Sequence, residues 1–596
     1  VCFGVILSLC QTSLTSQLQD NQQLIQLSQQ TDLVELDFSN KELKGSIPES
    51  IFQLTNLTSL NLSHNKLRGC LSHDVGQLSK LVYLDLSHNC FRDHTSYDHD
   101  TDFLPESIGQ LSCLTFLNLN SSWSTRIPES IVQLNQLTYL DVEHTQFQVL
   151  PENLGQLSHL TSLNLGWLGL TTLPESIIQL SKLKKLYLEN NDFQVLPESL
   201  FQLSQLTDLN LTQNKLKNIP NSLSQLSRLQ LLSIGWNRSL SGERNRFEVF
   251  SQLLIQLKKL DYLFLSNCDI KGQIPEELCT LTALYCLDLS VNKLTGEIPK
   301  YLTKLTELEY LDLSSNQLTG NIPLHLDQCS RLRTLKLGGN FLVGDIPNDL
   351  GQLSELKVLW LYRNQLTGSI PDSLGQLTHL KKFNLCYNQL TGFIPESLAQ
   401  LSYLKDLDLS HNQLTGPIPE SLGRLTQLPS LDLSHNQLTG PIPESLGQLL
   451  NLRELKLSHN QLTGPIPDSL GQLTNLKRLS LCYNQLTGPI PEGLGQLTQL
   501  PSLDLSHNQL TGPIFKNLGH LSLLKSLDLS HNHLTDFHPE NLEKLSLLRS
   551  LNLSYNQLTD LLPENLSHIV ALSDLKLSHN SFHDKAVSLL VLHNLL

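Results

Sequence analysis

One stretch constrains the fold more than any other. Residues 428–451, LPSLDLSHNQLTGPIPESLGQLLN, are one copy of a unit that recurs along almost the whole chain. Its first half spaces Leu428, Leu431, Leu433, Asn436 and Leu438 as LxxLxLxxNxL. The alternation around Leu431 and Leu433 is that of a strand with one apolar face, the other carrying Ser430, Asp432 and Ser434. Gly440 and Pro441 then break the strand and turn the chain. Ile442, Leu446 and Leu449 come back under it on a short helical or irregular return. Alone, so small a unit cannot offset its own ordering entropy. Stacked on copies of itself it shares one continuous core, so the expected architecture is a solenoid.

Copies open at Leu33, Leu57 and Leu81 with a 24-residue period, and a polar insertion at 92–103 delays the next to Leu114. From Leu114 to Leu229 the period is 23 and several copies read LPESL; from Leu260 to Leu572 it is 24 again, giving 23 starts. The expected divisions are 1–32, 33–113, 114–236, an irregular insertion at 237–259, 260–583, and 584–596. We read 1–32 as a signal-peptide remnant followed by an N-terminal capping segment, with a hydrophobic capping helix as the alternative. Residues 584–596 read as a C-terminal end or partial cap.

LTGPIP with LSHN, repeated in register over roughly residues 33–583, resembles the plant-type leucine-rich repeat of receptor-like proteins and receptor-kinase ectodomains. The resemblance implies an α/β solenoid, a superhelix of about 23 repeats whose long parallel β-sheet lines the concave face. It also implies a secreted or cell-surface recognition protein that holds a protein, peptide or glycan ligand there. An intracellular scaffold is the alternative, favoured by the 23-residue copies and by unpaired cysteines, of which Cys268, Cys279, Cys329, Cys386 and Cys482 fall as isolated substitutions within the repeat. A third reading is structural: uncapped ends that self-associate, or the regular Thr column from Thr415 to Thr511 meeting an ordered surface such as ice.

Several classes are disfavoured. A formal charge of −15 without any Lys/Arg run argues against a nucleic-acid partner. No apolar run is long enough to span a membrane. GxSxG, GxxxxGK[ST], HExxH and CxxC are all missing, so we expect no enzyme, no cofactor and no resident metal. The ladder of Asp408, Asp432, Asp504 and Asp528 follows from repetition alone, as does the Asn column, whose amides are expected to be buried and to serve backbone groups of neighbouring turns.

Function belongs where the repeat leaves positions free. Down the strand slots these hold Trp167, Trp236, Tyr262, Phe264, Tyr310, Lys336, Trp360, Tyr362, Arg363, Lys382 and Tyr387, the aromatic and cationic types that dominate binding hot spots. In the later copies the slot before Asn holds His411, His435, His459, His507, His531 and His579, interleaved with Tyr483 and Tyr555. Inherited wording of the repeat is the favoured explanation; the alternative is that rings about 5 Å apart along a sheet titrate together or bind a metal. The insertion residues Asp93, His94, Asp98, His99, Asp100 and Asp102 match no calcium-loop or helical metal spacing.

Overall fold

The computed structural model describes residues 32–91, 103–122, 127–145, 149–240, 246–514, 516–536, 544–559 and 572–581. Residues 1–31, where a signal-peptide remnant and capping segment are expected, the polar insertion at 92–102 with its candidate ligands, and residues 584–596 lie outside the described residues. Contacts divide the chain into two units, Val1–Ile270 and Lys271–Leu596.

In both units the repeat becomes a three-residue strand, a turn, and a return. The first unit carries ten strands of the main sheet, from Glu35–Asp37 to Tyr262–Phe264. The second carries thirteen, from Cys286–Asp288 to Asp574–Lys576. Pairing is parallel and follows the repeat: Ser430↔Glu454, Leu431↔Leu455, Asp432↔Lys456 across one 24-residue step. The 23-residue copies keep the same register, Asp208↔Leu231. Even across the long insertion Tyr83 meets Phe116, so extra residues leave the strands untouched.

The core follows from the spacing. Leu428, Leu431, Leu433, Leu438, Ile442, Leu446 and Leu449 are all buried, as are their counterparts in the interior copies. The return is a five-residue 3₁₀ turn, Glu444–Gln448 in this copy, entered from extended Pro443 and closed by Leu446 N–H to Pro443 O at 3.2 Å and Leu449 N–H to Leu446 O at 3.1 Å. A turn this short is what the 3₁₀ geometry suits.

The buried Asn column is the polar spine. Asn436 Nδ2 donates to Leu409 O (3.0 Å), Leu433 O (3.2 Å) and Ser434 O (3.3 Å), and its Oδ1 accepts from Leu414 N–H at 3.0 Å. One side chain thus serves backbone groups of its own copy and the previous one. The Asp ladder is structural too: Asp432 Oδ1 accepts from Ser434 N–H (3.0 Å) and Ser434 Oγ (2.6 Å), closing the strand end.

Two features depart from the expected plain return. Short second strands form opposite the main sheet in 24-residue copies, Thr415–Pro417 pairing with Gln437–Thr439. In this copy the strand ends at Gly440, φ +72°, where an L side chain is disfavoured. The segment expected to be an irregular insertion contains an α-helix, Phe247–Leu254, which buries Phe247, Phe250 and Leu254 in place of the usual 3₁₀ turn.

Candidate functional site on the sheet face

All eleven candidate aromatic and cationic residues lie on the sheet side, and none is buried. They do not form one group. In the first unit Trp167 meets His144 at a 31° tilt with ring centroids 4.4 Å apart, Trp236 lies under Arg238 at 5.4 Å, and Tyr262 sits beside Phe264 at 6.5 Å.

The second unit brings the rest together across adjacent strands: Tyr310–Asp312, Thr334–Lys336, Val358–Trp360 and Lys382–Asn384. Lys336 is the hub. Its ammonium lies 5.0 Å from the Tyr310 ring centre and 4.9 Å from that of Trp360, donates to Tyr310 Oη at 2.9 Å, and pairs with Asp312 at 3.1 Å. Tyr310 Oη in turn donates to Asp312 Oδ2 at 3.1 Å. Burial, then the nearby Asp312 and Asp288 carboxylates, push the Tyr310 phenol far above its ordinary pKa, so it stays protonated. From the next strand Lys382 approaches Trp360 at 5.9 Å, so ammonium groups flank the indole from both neighbouring strands. The indole N–H of Trp360 is covered and has no acceptor. Tyr362 meets Trp360 edge-on at 6.1 Å, and its ring occupies the space that a Cβ on Gly338 would fill, 2.6 Å away. Arg363 lies over Tyr387 at 5.2 Å.

Tyr387 also begins the ring column. From Tyr387 through His411, His435, His459, Tyr483, His507, His531 and Tyr555 to His579, successive rings stack face to face at 4.0–4.3 Å, with interplanar angles of 8–13°. That is closer than the strand-to-strand estimate, because the rings lean into contact. Each sits in the left-handed region, φ +53° to +56°, a conformation His tolerates better than most residues. The backbone N–H is engaged as well, as from His411 to Ser434 O at 2.9 Å.

Stacking favours neutral imidazoles. His411, His435 and His507 have pKa values lowered first by burial and then by neighbouring histidines, against the opposing pull of Asp408, Asp432, Asp504 and Asp528. Because the folded pKa lies below the unfolded 6.5, the unfolded chain binds more protons in that range, and stability falls as pH drops through 6.5 and below. The raised carboxyls Asp288 and Asp406 act in the opposite sense, nearer the carboxylate range. We expect the second unit to unfold at a lower temperature at pH 5.5 than at pH 7.5, with spectroscopic loss of ring stacking. Equal melting at both values would refute a titrating column.

Some features of the sheet face escaped the sequence reading. Tyr83, Phe116 and Tyr139 occupy one strand slot in three consecutive copies and stack at 4.4 Å; that shared slot was the available signal. The Glu189 carboxyl is raised to about 7, first by burial and then by Glu143 and Asp141 from two copies earlier. On the return side, His325, Asp327 and Asp349 bring ligating atoms within 4.8 Å of one another, with no spacing motif to announce it. Among the described residues no such group forms in the histidine column.

The chain matches family profiles described as leucine rich repeat at 31–91, in overlapping segments from 354 to 510, and at 522–582. Further matches are to a leucine-rich repeat region at 133–267, to two-copy leucine rich repeats at 306–352, and to single repeats at 259–281 and 283–305. No curated protein matches it. Among solved structures it is similar to the plant peptide hormone receptor RGFR1 in complex with RGF2, with 31% identity over 93% of this chain and 90% of that one, TM-score 0.75. It is equally similar to the Arabidopsis receptor kinase HAESA in complex with the peptide hormone IDA and the co-receptor SERK1, at 30% identity, 93% and 91% coverage, and TM-score 0.75. PEPR1 with AtPEP1 follows at 31% identity, 92% and 79% coverage, and TM-score 0.66. Repeat arrays of this kind are protein-interaction modules that use the concave sheet. With its 23 parallel strands and repeats matched along most of its length, the chain belongs to the leucine-rich repeat family and resembles plant receptor ectodomains.

Proposed function

We propose that the chain is a secreted or cell-surface recognition protein that holds a peptide or protein partner on the sheet face of its second unit, around Trp360. One observation carries this reading: four consecutive strands place Tyr310, Lys336, Trp360, Tyr362 and Lys382 in mutual contact, although the repeat leaves those slots free. Large rings locked by neighbours lose little entropy on binding, which is what a hot spot requires. The extracellular setting is supported by likeness to receptor ectodomains whose structures contain peptide hormones.

The test uses the full chain, immobilised and panned against a displayed library of random decapeptides. Clones enriched on the native chain should lose at least about tenfold in affinity, or about 1.4 kcal/mol, when Trp360→Ala and Tyr362→Ala are introduced together. Enriched clones that bind both proteins equally would move the partner off this patch.

A second reading, an intracellular scaffold, rests on the nine cysteines of the described residues, which are all free. Surface biotinylation of cells expressing the natural reading frame separates the two: labelling of intact cells supports the first, and labelling only after lysis supports the second.

A further inference from the structure

The chain as a whole is acidic, yet one part of its sheet face inverts that sign. Arg333, Lys357, Lys381 and Lys405 occupy the same slot in four consecutive repeats, and their backbones are bonded in sequence: Lys357 N–H to Arg333 O, Lys381 N–H to Lys357 O, and Lys405 N–H to Lys381 O, each at 2.8 Å. Over these four repeats the strand-side slots from Arg333 to His411 carry seven basic residues, the row together with Lys336, Arg363 and Lys382, against two acidic ones, Asp406 and Asp408. Part of this charge is already answered. Arg333 pairs with Glu309 at 2.5 Å and lies 3.9 Å from Glu355, and Lys336 pairs with Asp312. Lys357, Lys381 and Lys405 form no ion pair among the described residues, whereas Lys382 stands opposite Asp406 in the strand register and is partly answered by its charge. Elsewhere in the same column the row is interrupted, by Pro429 and Pro501.

From this row we infer the chemistry of the partner: an acidic peptide segment, laid across the strands so that its carboxylates meet Lys357, Lys381 and Lys405 beside the Trp360 patch. The inference rests on the peptide-binding reading above and narrows it. Charge complementarity selects the occupant. The row runs along the direction in which strands stack, at a pitch of about 4.8 Å, so an extended acidic chain meets a fresh ammonium every one to two residues. A sugar polyanion fits the patch less well. Sugar rings stack on open aromatic faces, whereas the Trp360 indole is flanked by Lys336 and Lys382 ammonium groups. The cations remain, and they call for carboxylate oxygens.

The decapeptide panning reads this out if the enriched clones are sequenced and re-measured by fluorescence anisotropy. We expect enriched clones to hold at least twice the Asp and Glu content of the input library. Their affinity should fall at least tenfold for the full chain carrying K357E, K381E and K405E, and fall steeply with added salt. The same reversals later in the column, R453E, K477E and K525E, should change it less than twofold. Neutral clones that survive the first triple variant but are lost in the Trp360/Tyr362 double variant would overturn the acidic partner while sparing the peptide reading. Failure to enrich any clone would overturn both. Oligogalacturonate binding tighter than every enriched peptide, with the same dependence on Lys357, Lys381 and Lys405, would reassign the row to a glycan.

Discussion

Asn436→Ala is expected to destabilise its part of the solenoid by about 3 kcal/mol or more. The loss is larger than that of an ordinary buried polar residue because one amide serves four backbone groups. Leu409, Leu433 and Ser434 carbonyls keep other donors, from Asn412, Asn460 and the His411 N–H respectively, so their share is about 1 kcal/mol each or less. The Leu414 N–H is different. Its bond goes to Asn436 Oδ1, and without it a buried donor is stranded at a cost of about 1–3 kcal/mol. In a solenoid the damage is local, since each repeat contacts only its neighbours. Amide hydrogen exchange should therefore accelerate from about residue 409 to 460 and leave the first unit unchanged. The chain contains its own control: Cys268 takes the ladder slot and donates from Sγ to Ile234 O at 3.2 Å and Ser266 O at 3.4 Å. A thiol is a weak donor, so Cys268→Ala should cost clearly less than Asn436→Ala. Equal losses at the two sites would mean that the Asn column fills space and does little more.

The Asn ladder and the parallel sheet could be read from the sequence because they rest on identity at fixed spacing. A leucine on the wrong phase of a three-residue strand would face solvent, so the pattern leaves one register. The second strands were not legible, since Thr415–Pro417 and Gln437–Thr439 show no apolar alternation. The helix Phe247–Leu254 had its signal, apolar residues three and four apart, but the broken repeat period around it masked that signal. At the candidate site, which slots face outward was legible, and which side chains meet was not. Lys336 reaches both Tyr310 and Trp360 through a long flexible stem, and Trp360 loses its N–H partner through burial by neighbours two dozen residues away in sequence. The histidine column was visible as a column. Its 4.0 Å stacking was not, because strand spacing alone does not set ring tilt.

Gly423→Leu should produce a loss of similar size, on the order of 3 kcal/mol, by overpacking. Here the argument concerns the return side, where successive 3₁₀ turns lie against each other. A Cβ on Gly423 would stand 2.4 Å from Ser445 O, and one on Gly447 2.5 Å from Ser469 O; both obstacles are backbone and cannot rotate away. The copy-to-copy distance on this side must widen before any side chain fits. Neighbours in the run, Gly447 and Gly471, hold the turns close, so the strain reaches several repeats. Where the same slot holds Cys279 or Thr303, the turns pack less closely and the larger side chains are accommodated. Thr303→Leu should therefore cost less than half as much as Gly423→Leu, as measured by denaturant unfolding followed through local exchange. The comparison separates two roles for the glycine, backbone freedom and absence of bulk. Gly423 has no left-handed φ, so bulk alone is at issue. If Gly423→Leu proves as mild as Thr303→Leu, the close stacking of the return turns is not what holds the repeats in register, and the sheet and Asn ladder carry that task unaided.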